Sequence, residues 1–169
     1  MSKQIFFIAT LFLSTVTLAQ KEETVEGDGT KIVKGFFTKQ ELASDPAFPW
    51  YIQNRQGFKP DSNAVEALKI HGASIYILAF GGTWCGDTKN LLPKFYALTE
   101  AAGLPEDHVT LIGVDRTKKT FYHLTEAFNV TNVPTFIVLK NGKEIGRVVE
   151  YGKYGLVDKE IGEIIISTK

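Results

Sequence analysis

Residues 74–80 read Ser-Ile-Tyr-Ile-Leu-Ala-Phe, a nearly unbroken apolar run of strand length, and no other segment constrains the fold as strongly. A run without polar alternation offers no face to water, so it predicts a strand covered on both sides. The flanking sequence supplies helices for that cover. Residues 63–70 place Ala64, Ala67, Leu68 and His71 on one helical face with Gly72 as a stop, and residues 85–102 carry Leu91, Leu92, Phe95, Leu98 and Ala102 at helical spacing. Beyond them, 108–115 reads as a second strand and 120–128 as a helix with Phe121, Leu124 and Phe128 inward. Residues 135–140 and 143–151 read as a hairpin turned at Asn141-Gly142, and 156–168 as a closing helix with Val157, Ile161, Ile164 and Ile165 on one stripe. A right-handed crossover makes the first two strands parallel, and the hairpin adds antiparallel ones. The expected class is α/β: a central mixed sheet flanked by helices in three layers.

The 169 residues are 44% hydrophobic and 22% charged, with 19 Lys and Arg against 19 Asp and Glu. This hydrophobicity argues against disorder. A formal charge of zero leaves no broad basic field, which argues against nucleic acid and anionic membrane surfaces as partners. Residues 1–19 read as a signal peptide: Lys3, an apolar stretch over 5–13, then Thr17-Leu18-Ala19 as the cut. That apolar stretch is about half the roughly 20 residues a spanning helix needs. The expectation is therefore an exported chain, periplasmic or extracellular, with no membrane span once cut. Residues 20–60 are expected to precede the main domain at 61–169 as an N-terminal extension. Its first part, 20–30, is too polar to order itself and reads as a flexible leader. Its second part reads as short helices and turns, with Thr38 to Glu41 as a capping box. Phe36, Phe37, Phe48, Trp50, Tyr51 and Phe58 are expected to dock it against the domain.

Only one cysteine, Cys85, occurs, which excludes an internal disulfide and a C-x-x-C site. An exported chain with one thiol calls for an explanation. Residues 80–88 read Phe-Gly-Gly-Thr-Trp-Cys-Gly-Asp-Thr, with Pro93 eight residues after the cysteine. Val133-Pro134-Thr135 and Phe-Ile-Val-Leu-Lys-Asn-Gly follow. This set resembles the thioredoxin family over about residues 63–168: the W-C-G turn between strand and helix, the proline loop, and the last hairpin. The resemblance implies a thioredoxin-like fold and a cis bond at Pro134 facing Cys85. Independently of it, a cysteine at a helix start sees unpaired N–H groups and the positive end of the dipole, which favour thiolate. Two departures matter. Thr88 stands where the family has its resolving cysteine, so a mixed disulfide at Cys85 needs an outside thiol for release. Thr88 is expected to hydrogen-bond the sulfur instead, while Asp87 opposes its charge. Ala79 replaces the buried acid many thioredoxins carry six residues before the cysteine.

Two functions are open at this level. One is a monothiol thioredoxin-like protein that exchanges thiols and disulfides through Cys85, with a protein or low-molecular-weight thiol or disulfide as partner. The other is a redox-inactive scaffold that recognises a peptide or protein. The expected catalytic residues are Cys85 and Thr88, and the expected partner contacts are Trp84, Gly86, Asp87, Val133 and Pro134. A Cys85-linked dimer is also open. No cofactor is expected, and no metal, since His71, His108 and His123 lie on separate elements. Asp115 is expected to cap a turn through Thr117, and 116–119 to form a solvated loop.

Overall fold

The computed structural model describes residues 21–167, so the export segment expected at 1–19 lies outside the described residues. Six strands form one mixed sheet: β1 (Lys21–Val25), β2 (Lys31–Phe37), β3 (Ile75–Gly81), β4 (Val109–Gly113), β5 (Thr135–Lys140) and β6 (Lys143–Val149). Their order is β1-β2-β4-β3-β5-β6. β3 and β4 run parallel, and every other neighbour pair is antiparallel. Six helices join them: α1 (Lys39–Ser44), α2 (Pro49–Gln53), α3 (Ser62–His71), α4 (Gly86–Ala102), α5 (Leu124–Ala127) and α6 (Val157–Ser167). No helix among the described residues is long and apolar enough to cross a membrane.

β3 is buried except at Tyr76, which is exposed, and Leu78, which is half-buried, and its buried side chains divide between two cores. Ile75, Ile77 and Ala79 join the larger core with Leu91, Leu92, Phe95, Leu98 and Ile161, while Phe80 joins Ile112, Val133 and Ile137 in the smaller one. β5 alternates likewise, Phe136 and Val138 to the first, Ile137 to the second. Helices α4 and α6, with α2 and α3 packed on them, cover the larger core.

Three expectations change. Residues 21–25 are a strand, not a flexible leader. All five β1 side chains are exposed, so burial does not order it. The ladder to β2 from Lys21↔Gly35 to Val25↔Lys31 does, and β2 is itself fixed by burying Ile32, Val33 and Phe37. Nor does a domain begin at 61. β2 pairs with β4, and Leu42, Phe48, Trp50 and Tyr51 lie inside the larger core, so the extension is part of one unit. Phe37, Phe48, Trp50 and Tyr51 dock in the larger core as expected and Phe36 packs against the smaller one, while Phe58 joins neither; the Thr38–Glu41 capping box forms. Finally, the helix expected over 120–128 shrinks to the single turn of α5. Tyr122 and His123 sit at φ 57° and 53° and break the preceding 3-10 turn, and so short a segment cannot sustain a helix against such breaks.

Ion pairs brace the hairpin. Lys21 meets Glu23 and Glu41, Lys31 meets Glu23 and Asp45, Lys34 meets Asp115, and Arg116 meets Glu26. Each of these carboxyls is held below its ordinary value. Hydrogen bonds from Lys21, Lys31 and Arg116 are the main cause at Glu23, Asp45 and Glu26. At Glu41 and Asp115 burial pulls upward but their hydrogen bonds outweigh it. A carboxylate depressed in the folded state stabilises that state above its unfolded value, and the contribution vanishes as pH falls through the folded one. Amide protection factors in β1 and β2 are therefore expected to hold down to about pH 5 and to drop as the pH is lowered further, while those of β3 and β5 hold. Equal loss across all strands would contradict this.

Candidate active site

β3 delivers the chain to the site and ends at Gly81. A Cβ on Gly81 would lie 2.9 Å from Thr88 Cγ2, and one on Gly82 would lie 2.7 Å from Trp84 Cε2. The glycine pair thus lets the α4 start and the Trp84 ring close onto the strand end, since a contact under about 3 Å cannot be kept. The turn closes through Cys85 N–H to Gly82 O at 2.8 Å. Cys85 is the N-cap of α4, extended at φ −82° and ψ 128°, and makes no side-chain cap bond. Its carbonyl accepts the first helical bond, from Lys89 N–H at 3.0 Å. Cys85 is half-buried, and its thiol donates to Val133 O at 3.3 Å.

The expected partner residues gather here. The Val133–Pro134 bond is cis, and both residues are buried. Pro134 O accepts from Glu150 N–H at 2.7 Å. Gly86 is exposed and Asp87 half-buried on the first turn of α4. Trp84 is pinned: its Nε1–H donates to Val114 O at 3.1 Å, and the Arg116 guanidinium lies 5.4 Å over its ring. Thr88 differs from expectation. It is 1% exposed, and its Oγ1 accepts Gly82 N–H at 3.2 Å. Cys85 Sγ bonds to Val133 O instead. A helical turn that packs Thr88 inward against Gly81 turns its hydroxyl toward the strand end.

Asp115 caps its turn as expected. Its Oδ1 accepts Thr117 N–H at 2.9 Å, Thr117 Oγ1–H at 2.6 Å and Lys119 N–H at 3.0 Å, and these bonds hold its carboxyl low against the upward pull of burial. Residues 116–119 form a largely exposed loop as expected, within which Arg116 binds Glu26 and lies over Trp84. Among the described residues no three His, Cys, Asp or Glu side chains come together to hold a metal.

Three features escaped the sequence. Thr83, 2% exposed, donates to Lys31 O at 2.8 Å and accepts Val33 N–H at 3.1 Å. Tyr151 receives a hydrogen bond from Asn90 of α4 at 3.2 Å. Buried Glu160 accepts the N–H groups of Lys153 and Tyr154 in the loop that carries Tyr151. A polar residue between apolar neighbours was the one available signal for Thr83, while long-range contacts such as Asn90 to Tyr151 leave no periodic trace.

The thioredoxin family model matches residues 62–160, more than half the chain. The chain belongs to the thioredoxin family. A thioredoxin of Echinococcus granulosus is 35% identical over 96 residues, covering 57% of this chain and 83% of that protein. The mouse protein disulfide-isomerase A4 is 24% identical over 144 residues, 85% of this chain and 22% of its own length. A solved structure of a protein of unknown function from Pseudomonas aeruginosa superposes with a TM-score of 0.57 at 16% identity, covering 78% of this chain and 92% of that one. That last likeness concerns the fold alone. The mixed sheet with flanking helices is the thioredoxin fold, and the family match starts at residue 62, after the β1–β2 hairpin and α1–α2.

Proposed function

We propose that the protein exchanges thiols and disulfides through Cys85 alone. The observation that carries this reading is the placing of half-buried Cys85 at the N-cap of α4, beside the cis Val133–Pro134 bond. Cys85 stands at the first turn of a helix, where a partner's extended backbone can approach. Kinship with thioredoxins and a protein disulfide-isomerase supports chemistry of this type. In the first step the Cys85 thiolate attacks one sulfur of a partner disulfide. The partner S–S bond breaks, a mixed disulfide forms, and the released thiolate takes a proton from solvent. Thr88 cannot resolve that intermediate, so an outside thiolate attacks the partner sulfur and regenerates Cys85. Trp84, Gly86 and Asp87 form the surface the partner meets, and the buried Val133 and Pro134 shape it from beneath. The partner is a protein or a small thiol or disulfide, and the sequence of residues 1–19 supports an exported setting, where disulfides persist.

The test is intact-mass analysis with glutathione disulfide at one pH. The native chain is expected to gain one glutathione adduct at least about tenfold faster than the same chain unfolded in urea, the advantage of a fold-activated thiol. The Cys85→Ser variant should gain none, and added dithiothreitol should strip the adduct. A native rate equal to or below the unfolded one would overturn the proposal in favour of the redox-inactive scaffold.

A further inference from the structure

We propose that the N-terminal hairpin is a clamp on the Cys85 turn and that Thr83 is its latch, a positioning residue for exchange. This rests on the reading of Cys85 as the exchanging thiol, and two separate contacts support it. First, β2 pairs with β4 only from Gly35↔Gly113 to Phe37↔Leu111, so residues 31–34 run past the end of β4. There the Thr83 hydroxyl does the work of a missing strand. It accepts Val33 N–H at 3.1 Å and gives its proton to Lys31 O at 2.8 Å. Lys31 and Val33 are two apart, so both groups face the same edge of β2. A hydroxyl committed to two fixed backbone groups in a 2% exposed site has no freedom left, and Thr83 stands two residues before Cys85 within the turn closed by Gly82 O.

Second, the turn after β1 reaches the neighbouring residue. Glu26 accepts from Arg116 Nε at 2.7 and 2.9 Å through its two oxygens, and the Arg116 guanidinium stacks over Trp84. The hairpin thus holds both residues that immediately precede the cysteine, Thr83 directly and Trp84 through Arg116. An exposed ion pair holds weakly in water, so the buried Thr83 is the stronger of the two holds. The alignment of the sulfur with Val133 O is therefore set by a segment outside the matched family region. Releasing the latch should loosen the turn, which opens the sulfur to small reagents while spoiling its alignment for in-line attack on a disulfide.

The test measures two rates on the full chain at one pH: alkylation of Cys85 by iodoacetamide, and adduct formation with glutathione disulfide. For Thr83→Val, which keeps the volume and removes the hydroxyl, alkylation should rise about threefold and exchange should fall about tenfold, a loss of the size that misplacement of reacting groups produces. Thr83→Ser should restore both rates to within about twofold of the parent, since it restores the hydroxyl. Glu26→Gln, a surface change that keeps the fold testable should Thr83→Val not fold, should move both rates in the same opposed directions by smaller factors. Loss of stability with both rates unchanged, or both rates moving together, would overturn the clamp. If the parent itself shows no exchange, the Cys85 reading fails. The clamp is then still judged by alkylation: faster reaction in Thr83→Val with rescue by Thr83→Ser supports it, and no change overturns it.

Discussion

Replacing Gly113 with alanine is expected to unseat the N-terminal hairpin. The added Cβ would lie 2.2 Å from Val33 O and 2.9 Å from Val33 C, and both are backbone atoms that no rotamer change can move. Overpacking a tight interior costs about 1–3 kcal/mol, and a clash with two fixed backbone atoms of Val33 puts this case near about 3 kcal/mol. For a chain of this size that corresponds to a fall in Tm of about 6–12 °C. Thermal unfolding followed by circular dichroism measures it, and amide exchange across β1 and β2 should accelerate more than across β3. A Tm within about 2 °C of the parent would mean that β2 does not approach β4 this closely. The variant also separates packing from latching. It strikes the same strand as Thr83 but from the sheet, so its effect on stability should exceed that of Thr83→Ser many times over.

Glu160→Ala should release the loop that follows β6. Glu160 is 8% exposed, and its carboxylate takes Lys153 N–H at 2.8 and 3.0 Å and Tyr154 N–H at 2.9 Å. These bonds hold a stretch with left-handed backbone at Glu150, Gly152 and Gly155 (φ 51°, 57° and 73°). Without the carboxylate two N–H groups lose their acceptor, at about 1–3 kcal/mol each when buried. Residues 151–154 are exposed, so water replaces part of that and a net loss of about 2 kcal/mol is expected. Glutamine keeps one acceptor oxygen but turns an NH2 group toward the other N–H, and should cost about 1 kcal/mol. Hydrogen exchange at Lys153 and Tyr154 reads the effect directly, and unchanged protection there in Glu160→Ala would refute it. Because Glu150 N–H holds Pro134 O and Tyr151 meets Asn90, a freed loop loosens one rim of the site as well.

The sheet and helices were legible wherever burial imposes a period. The apolar run at β3, the stripe Val157, Ile161 and Ile165 on α6, and the Asn141-Gly142 turn all announce their role, and all three hold. The elements that were misread are those ordered by something other than their own hydrophobicity. β1 has no buried side chain and is held by a ladder and by Lys31 from β2. The 120–128 segment has the apolar residues of a helix, yet Tyr122 and His123 interrupt it. At the site, the placing of Cys85 beside Val133 follows from motif and spacing. The inward turn of Thr88 does not, because it depends on how closely a threonine methyl fits against Gly81. Thr83 was invisible for a related reason: its meaning lies in two backbone groups about fifty positions away in the chain.

The described sheet ends in two strands with an open side, and each begins with lysine followed by glutamate: Lys21 and Glu22 on β1, Lys143 and Glu144 on β6. With cationic and acidic residues equal in number, copies of this molecule have no net repulsion to keep them apart. Charges planted along both rims therefore carry the burden of solubility, since a neighbour annealing there would have to strip water from them.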